Sequence, residues 1–382
     1  MKTKIPKFYS LANIMKAAPE AKYYMVYGQR SNGKTFSVLE YGLRRYLENG
    51  EQTAIIRRFK EDFMGGNADD MFKNFIHNEW RGNVIEELSK GEWNFVKYEK
   101  GKWYLEHINE DGETDKKDPN PFAYRFALTD EEHKKGTGYP LITTILFDEF
   151  ITRSYYLPNE FITFMNVLST VIRLRDNAKI FMCANTINKY SLYFNEMGLT
   201  RVKNQKQGTI DVYEYGSSGL QVAVEYSEFS AKAKKSDIYF AFDNPKLKMI
   251  TTGEWEISLY PHCPVDYFPN EVIYQYFIVF DNEILHCEII NHKNHINENK
   301  VEEQLFTFVH RKTTPIKDDG VCMVFQDKNE PKANYARKIN KPTTPIQRKI
   351  WWFYVADKIY YQDNSVGETM RNYLEWCNHE SN

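Results

Sequence analysis

One octapeptide constrains this chain more than any other feature. Gly28-Gln29-Arg30-Ser31-Asn32-Gly33-Lys34-Thr35 fits the pattern G-x-x-x-x-G-K-[ST]. A loop of this kind turns its backbone N–H groups toward one anion, and side chains at the two glycines would intrude. The flanks agree. Tyr23-Tyr24-Met25-Val26-Tyr27 is short, aromatic and β-branched, the pattern of a buried strand. After Thr35 the apolar positions Phe36, Leu39, Leu43 and Leu47 share one helical face, and Asn49-Gly50 closes the segment. Strand, loop and helix in that order predict a triphosphate site, with ATP and Mg²⁺ as its occupants. The helix N-terminus adds positive potential, Lys34 reaches the β- and γ-phosphates, and Thr35 offers its hydroxyl to the metal. The alternative is a chance glycine-rich turn.

A second element supports the first. Ile142-Thr143-Thr144-Ile145-Leu146-Phe147 reads as a central apolar strand that presents Asp148 and Glu149 at its carboxyl end. Ligands collect at that end in open α/β sheets. Asp148 is expected to hold Mg²⁺ with Thr35, and Glu149 to polarise the attacking water. The strand from Lys179 to Ala184 ends at Asn185, either a sensor of the γ-phosphate or a turn residue bonded to local backbone. Arg173 and Arg175 lie near the end of a helix predicted over 158–175, where basic residues also suit the helix dipole. Lys134-Lys135 precede Gly136-Thr137-Gly138 in a loop. Arg57-Arg58-Phe59-Lys60 ends the strand that begins at Thr53, reaching either the nucleotide base, a neighbouring subunit or only solvent.

The rest of the chain sets limits. Its 382 residues suffice for two domains and a linker, and 42% hydrophobic with 15% aromatic content argues for folded structure throughout. A formal net charge of -2 excludes a bulk basic nucleic-acid glue, so nucleic-acid contact needs local groups such as Lys232, Lys234 and Lys235. Cys183, Cys263, Cys287, Cys322 and Cys377 form no CxxC pair, as in a reduced cytosolic chain. The N-terminus has no secretory pattern, and no apolar run is long enough to span a bilayer, so no membrane partner is expected. Residues 60–80 look helical, 93–108 look like a hairpin around Lys100-Gly101, and 109–120 look like a polar loop. Alternating strands and helices predict a doubly wound, mostly parallel α/β sheet over residues 1–200. Residues 201–237 read as a linker region with a helix over 220–231. Residues 238–382 read as a smaller α+β domain, with a hairpin around Asp281-Asn282-Glu283 and helices near 350–360 and 368–376.

In combination these motifs resemble the phi29-type phage DNA-packaging (encapsidation) ATPases. The shared pattern is a P-loop with Arg30 at its third position, Arg57 to Lys60, and Lys135-x-x-x-Tyr139-Pro140 leading to Phe147-Asp148-Glu149-Phe150. Pro158-Asn159-Glu160 then opens the helix ending at Arg173-Leu174-Arg175, and the strand ending in Asn185 completes it. The matches cover roughly residues 20–190 in order. The resemblance implies a P-loop NTPase of the additional-strand, catalytic-glutamate class, with Glu149 as the catalytic acid. It implies Arg173 as an arginine finger and Lys135 as a second basic residue, both acting on the neighbouring subunit's nucleotide. It further implies a homomeric ring, a pentamer, that moves double-stranded DNA through the portal of the prohead in the host cytoplasm. The C-terminal domain is implied to be an inactive RNase H-like fold that docks to the portal vertex, in some members through a packaging RNA.

Three other readings fit the same residues, one of them a terminase-like nuclease motor that would cut DNA with its C-terminal acids. Another P-loop translocase or helicase would separate strands, and a nucleotide-binding scaffold would dispense with Glu149. Asp243, Asp281 and Glu288 are the acids available for a remnant of a nuclease cluster. Two-metal cleavage needs converging carboxylates, and no cleavage is expected.

Overall fold

The computed structural model describes residues 8–130, 138–152, 156–186, 191–228, 260–263, 265–297, 300–317 and 320–379. The chain forms two compact units, Met1–Glu256 and Ile257–Asn382.

The first unit is built on one sheet. Its strands are β1 (Tyr23–Gly28), β2 (Gln52–Arg57), β3 (Phe95–Glu99), β4 (Lys102–Ile108), β5 (Thr114–Lys117), β6 (Ala123–Ala127), β7 (Ile142–Asp148), β8 (Lys179–Asn185), β9 (Thr209–Tyr215) and β10 (Leu220–Tyr226). The order is β3-β4-β6-β2-β7-β8-β1-β10-β9, with β5 paired to β4. From β6 to β10 all neighbours are parallel. Antiparallel strands finish both edges.

Parallel strands covered on both faces read as continuous apolar runs, and β7 is buried at all seven positions. Side-chain alternation divides the interior into two cores. Met25, Tyr27, Phe147 and Met182 face one way and pack with Phe164, Val167, Leu168 and Val171 of the helix Glu160–Ile172. Tyr24, Val26, Leu146 and Phe181 face the other way and pack with Val38, Leu39 and Leu43 of the helix Lys34–Asn49. The result is helix, sheet, helix.

Strand β8 lies between β1 and β7, so the two motif-bearing strands are not neighbours. They are parallel, and their carboxyl ends share one edge. The register sets Gly28 opposite Asn185 and Asp148 opposite Cys183.

Three sequence expectations need correction. Within the stretch 201–237 read as a linker with a helix over 220–231, residues 209–226 are strands: β10 pairs with β1 in parallel and β9 with β10, so they belong to the first unit's sheet, while 229–237 lie outside the described residues. Residues 60–80 contain only short helical pieces, Lys60–Phe63, Asn67–Asp70 and Lys73–Ile76. Gly66, with φ of 92°, sits at one break. The polar stretch after β4 also contributes strand β5. Lys232, Lys234, Lys235 and Asp243 lie outside the described residues.

The second unit holds β11 (Val272–Phe280), β12 (Glu283–Asn297), β13 (Lys300–Lys312), β14 (Met323–Gln326), β15 (Tyr335–Ala336) and β16 (Ile359–Tyr361), in the order β15-β14-β11-β12-β13-β16. The expected hairpin joins β11 and β12 through Asp281 and Asn282, both left-handed with φ of 53° and 62°. Thr344 caps the helix Pro345–Val355, and its side chain accepts from Gln347 N. The helix expected to reach residue 360 stops at Val355, because 359–361 turn into β16 beside β13. The helices close the sheet through Tyr276 with Tyr354 and Phe280 with Tyr373. Asp281 sits in the turn, and Glu288 lies five residues beyond the start of β12 at Glu283, about 17 Å of extended chain. These two acids therefore do not converge as remnants of a nuclease cluster. Among the described residues, no helix is long and apolar enough to cross a membrane.

Candidate nucleotide site

The loop is shaped by its glycines. Gly28 closes β1 with φ of 154°, and a Cβ there would fall 2.1 Å from Ser227 Oγ, just past the end of β10. Gly33, with φ of 94°, is the left-handed residue from which the helix Lys34–Asn49 starts. Between them Asn32 is buried, and its amide donates to Ser227 Oγ at 3.0 Å. Gln29 contributes its carbonyl, while Arg30 and Ser31 are exposed.

Lys34 is buried and curls back along the loop. Its ammonium donates to Gln29 O at 2.5 Å, Asn32 Oδ1 at 3.1 Å and Gly28 O at 3.3 Å. Burial pulls its pKa down to about 8, against the opposing pull of Cys183 and Asp148. An anion at this point would restore the charged form.

The acid end meets the loop across β8. Thr35 Oγ1 donates to Asp148 Oδ1 at 2.7 Å. Asp148 is buried, and Arg57 NH2, from the end of β2, donates to its other oxygen at 2.5 Å. Arg57 NH1 stands 3.8 Å from Glu149 Oε2. Glu149 is different from its neighbour. Its side chain is 61% exposed, and its backbone has φ of 61° while its N–H donates to Cys183 O at 2.8 Å. A left-handed glutamate costs conformational energy, and such residues cluster at functional sites. The turn directs one carboxylate inward to Thr35 and Arg57 and the next outward. A cavity of about 1110 Å³ opens here, lined by Lys34, Thr35, Arg57, Asp148, Glu149 and Asn185 among others.

The donor set tests what the site can hold. A hydroxyl and a carboxylate in contact are hard oxygen ligands, suited to Mg²⁺ together with phosphate oxygens. The loop, the buried ammonium and the roomy cavity suit a nucleoside triphosphate. The residues fit both.

The Arg57-Arg58 pair divides its labour, and neither residue is a surface charge cluster. Arg57 faces the two acids. Arg58 is buried in a bidentate pair with Glu160, at 2.8 and 2.9 Å, and also donates to Glu149 O at 3.2 Å and Phe150 O at 3.0 Å. Glu160 accepts further bonds from Tyr193 Oη and Leu157 N. This network fastens the backbone of Glu149 to the start of the helix Glu160–Ile172.

Sequence reasoning missed two contributors. Ser227 carries no motif, and only the pairing of β10 with β1 brings it to Gly28. The segment Phe8–Leu11 lies against the loop: Tyr9 N donates to Asn32 O at 2.8 Å, and Tyr9 Oη donates to the buried Glu225 at 2.7 Å. A Cβ on Gly33 would lie 3.4 Å from Phe8 Cβ. Nothing in the spacing of Phe8 and Tyr9 announces this role.

Arg173, expected to act on a neighbouring subunit's nucleotide, does not join this chain's own site. Arg173 follows the helix Glu160–Ile172 with φ of 55° and is exposed. Its neighbour Arg175 donates to Ile142 O at 2.7 Å and Tyr139 O at 3.1 Å, at the amino end of β7. That end is about 20 Å from Asp148, given seven residues of strand. Arg173 is therefore remote from this chain's own loop. Lys135 lies outside the described residues.

Comparison with known proteins adds a lineage. A family model described as "Podovirus DNA encapsidation protein (Gp16)" matches residues 8–237. The DNA packaging protein of Bacillus phage B103 is 26% identical over 214 residues, 55% of this chain and 57% of that protein. The DNA packaging protein of Bacillus phage phi29 is 26% identical over 178 residues, 44% of this chain and 45% of its own. The chain thus spans about half the length of the curated relatives it matches. Among solved structures, the bacteriophage phi29 viral genome packaging motor assembly is similar with a TM-score of 0.51 at 17% identity, covering 96% of each chain, which is a likeness of fold.

Proposed function

The chain belongs to the podovirus DNA encapsidation protein (Gp16) family, and from that premise we propose that it is an ATP-driven motor that moves double-stranded DNA into a prohead through the portal. The observation that carries this reading is the meeting of Lys34, Thr35, Asp148 and Glu149 at one cavity, inside a family defined by DNA encapsidation.

ATP is the substrate, held by residues 28–35. Thr35 and Asp148 would hold Mg²⁺, which when bound supplies positive charge beside the β- and γ-phosphates. Lys34 neutralises phosphate charge in a buried setting, where that charge is worth more than in water. Glu149 accepts a proton from the attacking water and holds it in line, with Arg58 fixing the backbone that aims it. Asn185, opposite Gly28 in register, senses the γ-phosphate. The single strand between β1 and β7 supports membership of the additional-strand, catalytic-glutamate class.

Arg173, remote from its own loop, serves the neighbouring subunit of a ring as an arginine finger, with Lys135 as a second basic group in trans. The ring is a pentamer on the portal vertex, working in the host cytoplasm. The division into an ATPase unit and a docking unit follows the two compact bodies. An antiparallel β11–β12–β13 meander with β14 parallel to β11 supports an RNase H-like fold for the second. The wide separation of Asp281 and Glu288 supports a unit that does not cut DNA. A packaging RNA is an optional partner of that unit.

The test is DNA protection from nuclease in proheads bearing the portal of the same virus, supplied with the full chain, double-stranded DNA and Mg·ATP. Protected DNA is expected with the unmodified chain and not with Glu149→Gln or Lys34→Ala. ATP hydrolysis without protected DNA would overturn the motor reading.

A further inference from the structure

We propose that His286, Glu288 and His310 form a divalent transition-metal site of the zinc class in the second unit. It uses none of the residues of the nucleotide site, and no sequence motif marks it, because its ligands come from two successive strands and only their register brings them together.

The sheet builds the cluster. Register sets His286 directly opposite His310 across β12 and β13. Glu288 lies two residues along β12 and therefore on the same face. The donor atoms of the three side chains all lie within 4.8 Å of one another. His310 Nε2 is already 3.4 Å from Glu288 Oε2. Tetrahedral zinc with bonds of about 2.1 Å separates its ligand atoms by roughly 3.4 Å, so small side-chain rotations close the remaining gap.

The surroundings favour ligation over a simple ion pair. A pair between His310 and Glu288 makes no use of His286, yet His286 Nε2 is buried and has no hydrogen-bond partner. Leaving such a group unmatched is unfavourable, and a metal bond would answer it. Each ring is also held in place. Phe277, opposite His286 on β11, stacks on it at 4.9 Å and 23°, and Phe308 stacks on His310 at 5.7 Å and 24°. Tyr267 Oη donates to Glu288 Oε2 at 2.7 Å, an outer contact that orients a ligating carboxylate. Two imidazoles and one carboxylate favour Zn²⁺ and the other first-row transition ions over Mg²⁺ and Ca²⁺, which take all-oxygen sets. Three protein ligands leave a fourth position for water or a group from a partner.

The probe is Co²⁺, added to the full chain after chelator treatment and without nucleotide. The expected result is the visible absorption of tetrahedral cobalt, saturating at about one ion per chain. The band should weaken at least tenfold in apparent affinity in His286→Gln and in His310→Gln, and persist in Asp148→Asn. Far-UV circular dichroism checks that the variants fold. Competition between the unmodified chain and a fluorescent Zn²⁺ chelator needs no variant, and a Kd of about 1 µM or tighter is expected. No tetrahedral band, a band unchanged in both histidine variants, or Zn²⁺ binding no tighter than millimolar would each overturn the site, leaving a protonic His310–Glu288 pair.

Discussion

Thr35 Oγ1 donates to Asp148 Oδ1 at 2.7 Å, joining two strands that the sheet separates by β8. This contact is the shortest link between the phosphate loop and the acid strand. Arg57 holds the other oxygen of Asp148, so the carboxylate that would ligate metal is already oriented from both sides. Site geometry is therefore a property of the sheet edge and not of loop adjustment.

The Arg58–Glu160 pair is buried, so removing one partner strands the other. Arg58→Met is expected to destabilise the chain by about 3–5 kcal/mol. Arg58→Met with Glu160→Leu should recover much of that loss, which urea denaturation in a double-mutant cycle measures. Both variants should also lower hydrolysis, because Glu149 O loses its anchor.

Lys34 gives a pH dependence with a defined sign. Its free-site pKa is about 8 because burial opposes the charge, and triphosphate binding favours the protonated form. Nucleotide affinity should be level below pH 8 and fall as pH rises through it, approaching tenfold weaker per unit. Lys34→Ala should bind weakly and lose this slope. Titration calorimetry between pH 7 and roughly pH 9 makes the comparison.

Gly28 and Ser227 occupy one space. Gly28→Ala would drive Cβ to 2.1 Å from Ser227 Oγ, costing about 1–3 kcal/mol through overpacking. Ser227→Gly in the same chain should restore part of the thermal stability. Equal melting temperatures for Gly28→Ala with and without the second change would contradict the contact.

The proposed trans role of Arg173 has its own test. Arg173→Ala and Glu149→Gln chains should each hydrolyse ATP poorly, and mixed rings should recover partial turnover by pairing an intact finger with an intact acid. Phosphate release across mixing ratios reads this. No recovery at any ratio would remove the trans role.

Much of the first unit was legible because its elements announce themselves locally. Gly28, Gly33, Lys34 and Thr35 sit at fixed spacing, and the apolar run before Asp148 marks a strand buried on both faces. The pair β9 and β10 was not legible as sheet. Thr209–Tyr215 and Leu220–Tyr226 do alternate, but their polar positions make the stretch resemble a linker, and only pairing with β1 reveals its place. Arg57 and Arg58 stand side by side in sequence, yet strand geometry sends one to the acids and the other into the core. That partition depends on Asp148 and Glu160, about a hundred residues away. His286 and His310 are likewise united only by register.

The most direct measurement of the central claim is the gain in affinity that Mg²⁺ confers on a non-hydrolysable ATP analogue, by calorimetry with and without the metal. A gain of at least about tenfold, or 1.4 kcal/mol, is expected in the unmodified chain, with its loss in Asp148→Asn and Thr35→Val. An equal gain in all three chains would contradict the convergence of the loop and the acid strand on one magnesium-nucleotide.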